Sequence, residues 1–288
     1  MTGKTLLLTG ATGFVGRHLA SALLDRGFTV RAVTRSLDAA RGLPWFAQAQ
    51  WVEADIHDAE LDIAALIDGV SAMAHLAWPG LPNYDGLFHF ERNLPADYAF
   101  IRRVVEAGVG QVLVTGTCFE YGLQSGPLSE TSVALPANPY GLAKHSLRLF
   151  LESLAQKHPF TLQWARLFYL YGEGQNPKSL LASLERAIDQ GATAFDMSAG
   201  EQLRDYLPIE TAASHLATVL QHPEFHGVVN ICSGQPVSVR SLVEQRLKAR
   251  QSSMTLNLGV YGYSAHEPLA FWGVCERLQQ LLGAHHVA

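Results

Sequence analysis

Apolar residues along the chain follow two rhythms, short unbroken runs and longer stretches with helical spacing. Residues 5–8 form such a run and lead straight into a glycine turn, which reads as a strand buried on both faces. Beyond the turn, Phe14, Leu19, Leu23 and Leu24 share one helical face and the pattern stops at Gly27, predicting a helix. The two rhythms then repeat. Strands are expected at residues 29–34, 50–54, 72–76, 111–115 and 161–167, and helices at 61–67, 96–106 and 140–156. Strands that alternate with helices predict an α/β fold with a doubly wound parallel sheet, its ligands at the carboxyl ends of the strands. Beyond Tyr169 the rhythm changes. Gly172, Gly174 and Pro177 mark a loop, residues 180–190 a helix, and later segments read as irregular. A smaller C-terminal substrate lobe is therefore expected, built from residues 169–204 and 234–288, against a dinucleotide-binding domain of residues 1–168 rejoined at about 205–233.

Composition narrows the picture. With 288 residues, 48% hydrophobic and 16% charged, the chain can bury a large core in one large domain or two intimate ones. A net charge of -5 with scattered Lys and Arg makes no basic stripe, so neither nucleic acid nor an anionic membrane is an expected partner. Cys118, Cys232 and Cys275 have no metal-ligand spacing; no metal is expected, and the odd count suits a reducing cytoplasm. Residues 1–8 lack the long apolar core of a signal peptide and read as a strand.

Candidate chemistry sits in two places. Thr9-Gly10-Ala11-Thr12-Gly13-Phe14-Val15-Gly16 lies between the first strand and the first helix. Gly10 permits the turn, Gly13 lets the backbone approach a pyrophosphate, and Gly16 allows helix to pack on strand, while the helix N-terminus offers free N–H groups to the anion. This marks a Rossmann dinucleotide turn, although an ordinary strand-to-helix turn shares its form. Downstream, Tyr140 and Lys144 stand one helical turn apart on one face. A phenol titrates near roughly 10 when unperturbed, and a neighbouring cation favours its phenolate. Such a pair can exchange a proton with an alkoxide; on an exposed helix it would be an ordinary solvated pair.

The ordered set of TGATGFVG at 9–16, Asp55-Ile56, His75-Leu76-Ala77, GTCFEYG at 116–122, Tyr140 with Lys144, Arg166-Leu167-Phe168, Tyr171-Gly172 and Arg204-Asp205-Tyr206 resembles the extended short-chain dehydrogenases/reductases of the NAD-dependent epimerase/dehydratase family, over nearly the whole chain. The resemblance implies that Gly10, Thr12, Gly13, Phe14, Val15 and Gly16 hold the cofactor. Asp55 and Ile56 would border its adenine, and Leu76 and Ala77 its ribose. Thr117, Tyr140 and Lys144 would form the catalytic triad, with Lys144 on the ribose and Thr117 and Cys118 at the substrate. Arg204 and the loop at 172–175 would meet the diphosphate or the ribose of a nucleotide. His75 reads better as a core histidine, and Cys118 as a buried structural thiol. The later Arg-Pro of the family stands here as Glu267-Pro268.

The end of the second strand carries Arg35 and Ser36 and no acid, which favours NADP(H) over NAD(H) because a guanidinium suits a 2'-phosphate. Cys118 and Phe119 stand where a dehydratase of this family needs an acidic pair, so dehydration is not expected. The implied function is NADP(H)-dependent reduction of a dTDP- or GDP-linked 4-keto-6-deoxyhexose. Alternatives are an NAD-dependent C4 epimerase, a reductase of a small carbonyl compound, and a non-catalytic NADP-binding sensor. The resemblance also implies a homodimer, formed through the helices that begin near Asn93 and Tyr140.

Overall fold

A computed structural model describes residues 3–263 and 267–283. The first half runs β1 (Thr5–Thr9), α1 (Phe14–Asp25), β2 (Thr29–Thr34), α2 (Leu37–Ala40), β3 (Gln50–Glu53), α3 (Ile63–Ile67), β4 (Val70–His75), α4 (Leu94–Glu106) and β5 (Gln111–Thr117). Then come β6 (Gly126–Leu128), α5 (Pro139–Ala155), β7 (Thr161–Leu167), β8 (Tyr169–Tyr171), α6 (Leu180–Asp189) and β9 (Ala194–Asp196). The chain continues through β10 (Leu203–Pro208), α7 (Ile209–Gln221), β11 (Gly227–Ile231), β12 (Pro236–Ser238), α8 (Val239–Ala249), β13 (Thr255–Asn257), β14 (Phe271–Gly273) and α9 (Glu276–Gly283).

Seven strands form one parallel sheet in the order β11-β7-β5-β4-β1-β2-β3. The chain winds outward from β1 through β2 and β3, then restarts on the other side at β4. This is the doubly wound α/β arrangement expected, with its switch point between β1 and β4, where ligands bind in such sheets. Side-chain alternation along β1 explains why the run is apolar throughout: Leu6 and Leu8 enter the core shared with α1 and α7, whereas Leu7 enters the core under α3, α4 and α5.

The remainder of the chain is more regular than its hydrophobic pattern suggested. After Tyr169 the structure holds α6, α7 and α8, and β11 completes the large sheet beside β7. Five short strands of three residues each, β8, β9, β12, β13 and β14, are too brief to show alternation. Leu181, Leu184, Met197, Val239, Val243 and Met254 make a separate small core here. Two boundaries nearer the site also differ. A π-helical turn, His89–Asn93, precedes α4, and β5 runs on to Thr117 because Thr115-Gly116-Thr117 is fully paired with β7 despite lacking apolar bulk.

Candidate active site

At the switch point the glycine turn is fixed by close packing. Gly10 has φ +69°, and a Cβ there would stand 2.7 Å from the Ala77 nitrogen. A Cβ on Gly16 would stand 2.1 Å from the Gly10 carbonyl oxygen. Both positions therefore require glycine. The first residues of α1 have no side-chain cap at Gly13, so their N–H groups are free to meet an anion.

The turn opens on a cleft of about 1020 Å³. Gly10, Thr12, Gly13, Phe14, Val15, Gly16, Arg35, Ser36, Asp55, Ile56, Leu76 and Ala77 all line it, as do Thr117, Cys118 and Tyr140. The Ser36 N–H donates to Thr34 Oγ1 (3.2 Å), and that hydroxyl donates to the Ser36 carbonyl (3.0 Å), a local turn that presents Arg35 at the rim. Arg35 itself is exposed. Asp55 also serves its own loop, since its Oδ1 accepts from the His57 N–H at 3.0 Å.

Tyr140 is held from both sides of its helix start. Asn138 caps α5 by accepting from the Gly141 N–H at 2.8 Å, with Pro139 in the first turn. Gly141 packs so closely on the turn after β5 that a Cβ would lie 2.6 Å from the Phe119 carbonyl oxygen, which brings Tyr140 to Thr117. Burial pushes the Tyr140 phenol far above its ordinary value, helped by Tyr84 and Glu120 and opposed by a hydrogen bond with Thr117. This differs from the sequence expectation that Lys144 governs the phenol, because removal from water outweighs the nearby cation. Lys144 is 1% exposed, its Nζ has no hydrogen-bond partner, and it lies 4.0 Å from the centre of the Trp78 ring. Burial pushes it down to about 8, against the pull of Asp97 and Glu120.

Thr117 rests on a buried polar scaffold. Glu120 Oε1 accepts from the Thr117 N–H (3.0 Å) and the Trp164 indole (2.8 Å), while its Oε2 meets Arg166 Nε at 2.9 Å. The Thr117 hydroxyl in turn accepts from the Phe119 N–H at 3.3 Å. Cys118 is 5% exposed and packs with Tyr121, Phe168 and Phe271; burial pushes its thiol well up, so it is no nucleophile.

Arg204 is not brought to the cleft. Its Nη2 donates to Glu267 Oε2 at 2.8 Å, its Nη1 to the Leu203 and Leu269 carbonyls, and its guanidinium lies 4.7 Å from the Phe271 ring centre. Glu267, the residue standing in place of the later Arg, thus neutralises it. Asp205 is equally internal, accepting from Ser233, Gly234 and Gly273. Of the loop at 172–175, Gln175 lines the cleft, whereas Glu173 accepts from His18 and Gly174 packs on Arg17.

The NAD dependent epimerase/dehydratase family matches residues 6–232. The chain belongs to that family. It is an NAD(P)-dependent oxidoreductase of the extended short-chain dehydrogenase/reductase type. Among curated relatives, dTDP-6-deoxy-L-talose 4-dehydrogenase (NAD(+)) of Aggregatibacter actinomycetemcomitans is 28% identical, over 93% of this chain and 98% of that one. GDP-6-deoxy-D-mannose reductase of Pseudomonas aeruginosa is 28% identical over 84% of this chain and 78% of the other. Among solved structures, UDP-N-acetylglucosamine 4-epimerase from Methanobrevibacter ruminantium M1 superposes with a TM-score of 0.86 at 20% identity, covering 98% and 92% of the two chains.

The cleft fits the nicotinamide dinucleotide of the epimerase/dehydratase family. The glycine cradle admits no Cβ, the α1 N–H groups are free, and the buried Lys144 Nζ lacks a protein partner. Sequence reasoning missed an aromatic wall around Tyr140. Trp78, Tyr84 and His89 have ring centres 6.1, 5.6 and 5.2 Å from it. Trp78 Nε1 donates to His89 Nδ1 (3.0 Å) and His89 Nε2 meets the Asn83 carbonyl (2.5 Å), which fixes the imidazole with its proton on Nε2. Trp78 directly follows the His75-Leu76-Ala77 motif and could have been found by extending it one residue. Tyr84 and His89 lie in a segment without periodicity and carry no comparable signal.

Proposed function

We propose that this protein is an NADP(H)-dependent reductase of a nucleotide-linked 4-keto-6-deoxyhexose, with Thr117, Tyr140 and Lys144 as its catalytic group. The observation that carries the reading is a buried tyrosine beside Thr117, on the same helix face as a buried lysine, at a cleft whose other end is a dinucleotide turn. The deoxysugar relatives supply the substrate class. A nicotinamide dinucleotide held at the glycine turn of residues 10–16 would supply the hydride chemistry. The Thr117 hydroxyl accepts from the Phe119 N–H and is hydrogen-bonded to Tyr140, and it would turn its O–H to the carbonyl oxygen when substrate is bound. Tyr140 gives its proton to that oxygen, and its high proton affinity keeps it charged with a proton until an alkoxide forms. Lys144 holds the phenolate that remains. Arg35 and Ser36 at the adenosine end support NADP(H).

A second reading has one specific observation behind it. Arg204 is spent on Glu267, and Phe168, Tyr169, Tyr171 and Tyr206 line the far end of the cleft, a wall suited to a small carbonyl compound without a diphosphate. Oxidation of NADPH and NADH at 340 nm, with dTDP- and GDP-linked 4-keto-6-deoxyhexoses and with simple aromatic ketones, separates the two. Turnover of a nucleotide-linked sugar with NADPH is expected. Turnover of the simple ketones alone would replace the reading.

We also propose a homodimer through α4 and α5. Leu142, Leu149 and Phe150 are 45%, 46% and 47% exposed at helical spacing on α5, and Phe150 meets Tyr98 of α4 edge-on.

A further inference from the structure

Lys144 is 1% exposed and its Nζ has no hydrogen-bond partner, a costly place for an ammonium. What it has instead is a ring face: Nζ lies 4.0 Å from the centre of the Trp78 indole. Asp97 and Glu120 pull on the same charge, but their carboxylates are hydrogen-bonded to His57 and to Trp164 and Arg166. The indole, which lines the cleft, is anchored on several sides. Just before it the Leu76 and Ala77 N–H groups both donate to Thr9 Oγ1 (3.2 and 3.3 Å), and just after it the Pro79 carbonyl accepts from Asn93 Nδ2 at 2.9 Å. Its own ring N–H donates to His89 Nδ1 at 3.0 Å, with the two rings 18° from coplanar. His89 is fully buried and donates from Nε2 to the Asn83 carbonyl. The loop between Trp78 and His89 is folded so tightly that a Cβ on Gly80 would run into the Phe88 ring. Trp78 also meets Tyr140, their ring centres 6.1 Å apart and their planes 65° from parallel.

Filling space beside a cleft does not require such an arrangement. We propose that Trp78 is a positioning residue for Lys144, its ring face holding the ammonium in place beside Tyr140, and that His89 acts through Trp78 by fixing the plane of that ring. The inference rests on the roles given above to Tyr140 and Lys144. An aliphatic side chain of similar bulk would fill the same space, but it has no negative face to offer a cation. The lysine stem is flexible, so without that face Nζ is free to turn from its place. A hydrogen-bonding side chain at 78 would hold the ammonium equally well, but it would also bring a second polar group into a buried site. His89 is the other titratable group beside Lys144, with Asp97 and Glu120. Because its Nδ1 accepts from the indole and its Nε2 carries the proton, it is neutral and does not repel the ammonium.

One arm of the test needs no turnover. In the free protein the Lys144 amine is titrated by ¹³C NMR of the lysine Cε–H groups, its signal assigned by its loss in Lys144→Met. Trp78→Leu is expected to move the midpoint down by about one pH unit, and Trp78→Phe, which keeps a ring face, to stay nearer wild type. A midpoint that stays or rises in Trp78→Leu would overturn the proposal. In turnover, Trp78→Leu is expected to lower kcat about tenfold while KM for the carbonyl substrate and NADPH affinity stay within about threefold, and Trp78→Phe to recover most of the loss. A Trp78→Leu effect confined to KM would make the ring a substrate contact and sink the positioning role. His89→Phe removes the acceptor and keeps a ring beside Tyr140. It is expected to lower kcat when introduced alone and to add nothing to Trp78→Phe, which has no N–H to be held. Additive losses would show that His89 acts on Tyr140 directly and would remove it from the proposal. The two readings fail separately: a Tyr140→Phe enzyme as fast as wild type would remove the catalytic roles, whereas an unmoved lysine titration would remove the role of Trp78 alone.

Discussion

Lys144 is a single charged side chain kept in a place that is unfavourable to its charge. A 1% exposed ammonium whose Nζ has no hydrogen-bond partner is stabilised by the Trp78 face and the Asp97 charge, and less completely than by water. Burial brings it down to about 8, below the ordinary lysine value of 10.5. The unfolded chain therefore binds the extra proton between those two values, and stability rises with pH across that window. The burial penalty is complete below it. Lys144→Met is accordingly expected to raise stability at pH 7 by on the order of 2 kcal/mol in urea denaturation, to show little gain at the upper end of the window, and to abolish turnover. A loss of stability at pH 7 would mean that Lys144 is needed as a counter-charge to Asp97. Residue type and order alone were enough to single out Tyr140, Lys144 and Thr117 as candidates for the proposed reaction, and the structure places Tyr140 and Thr117 in the cleft wall. His89 and Asp97 were not legible in this way, since their partners come from other elements, and Arg204 misled because only the fold shows Glu267 seated against it.

At the scale of elements, the first βα unit depends on one contact, α1 lying so close that Gly16 meets the Gly10 carbonyl. Gly16→Ala would force the helix outward. It is expected to cost roughly 1–3 kcal/mol by overpacking and to weaken dinucleotide binding at least about tenfold, because the N–H groups of α1 leave their aim. Unchanged binding by fluorescence titration would show that the helix can move without disturbing the phosphate site. This unit was fully legible: strand, glycines and helix each have their own local pattern. The end of β5 was less so, because Thr115-Gly116-Thr117 is a strand by virtue of its neighbour β7. The π turn at His89–Asn93 has no periodicity to reveal it.

Over the whole molecule, alternating runs and helical faces were enough to foresee a doubly wound sheet, while the segments beyond Tyr169 were underread. Their strands are short and their order follows from pairing across the chain: β10 pairs with β8 and β12, and β11 closes the large sheet. Among the described residues no helix is long and apolar enough to cross a membrane. The proposed dimer would bury the apolar face of α5. Light scattering at micromolar concentration is expected to give a dimer mass, and Leu149→Glu a monomer with its fold intact; a monomeric wild type would remove the dimer. The account as a whole stands on Tyr140, and the most direct measurement is the rate of cofactor oxidation by Tyr140→Phe beside wild type, on a substrate that wild type turns over, with NADPH binding followed in parallel. A fall in kcat of roughly 10²–10⁴ with unaltered NADPH affinity is the expected result. A Phe variant that turns over like wild type would contradict it.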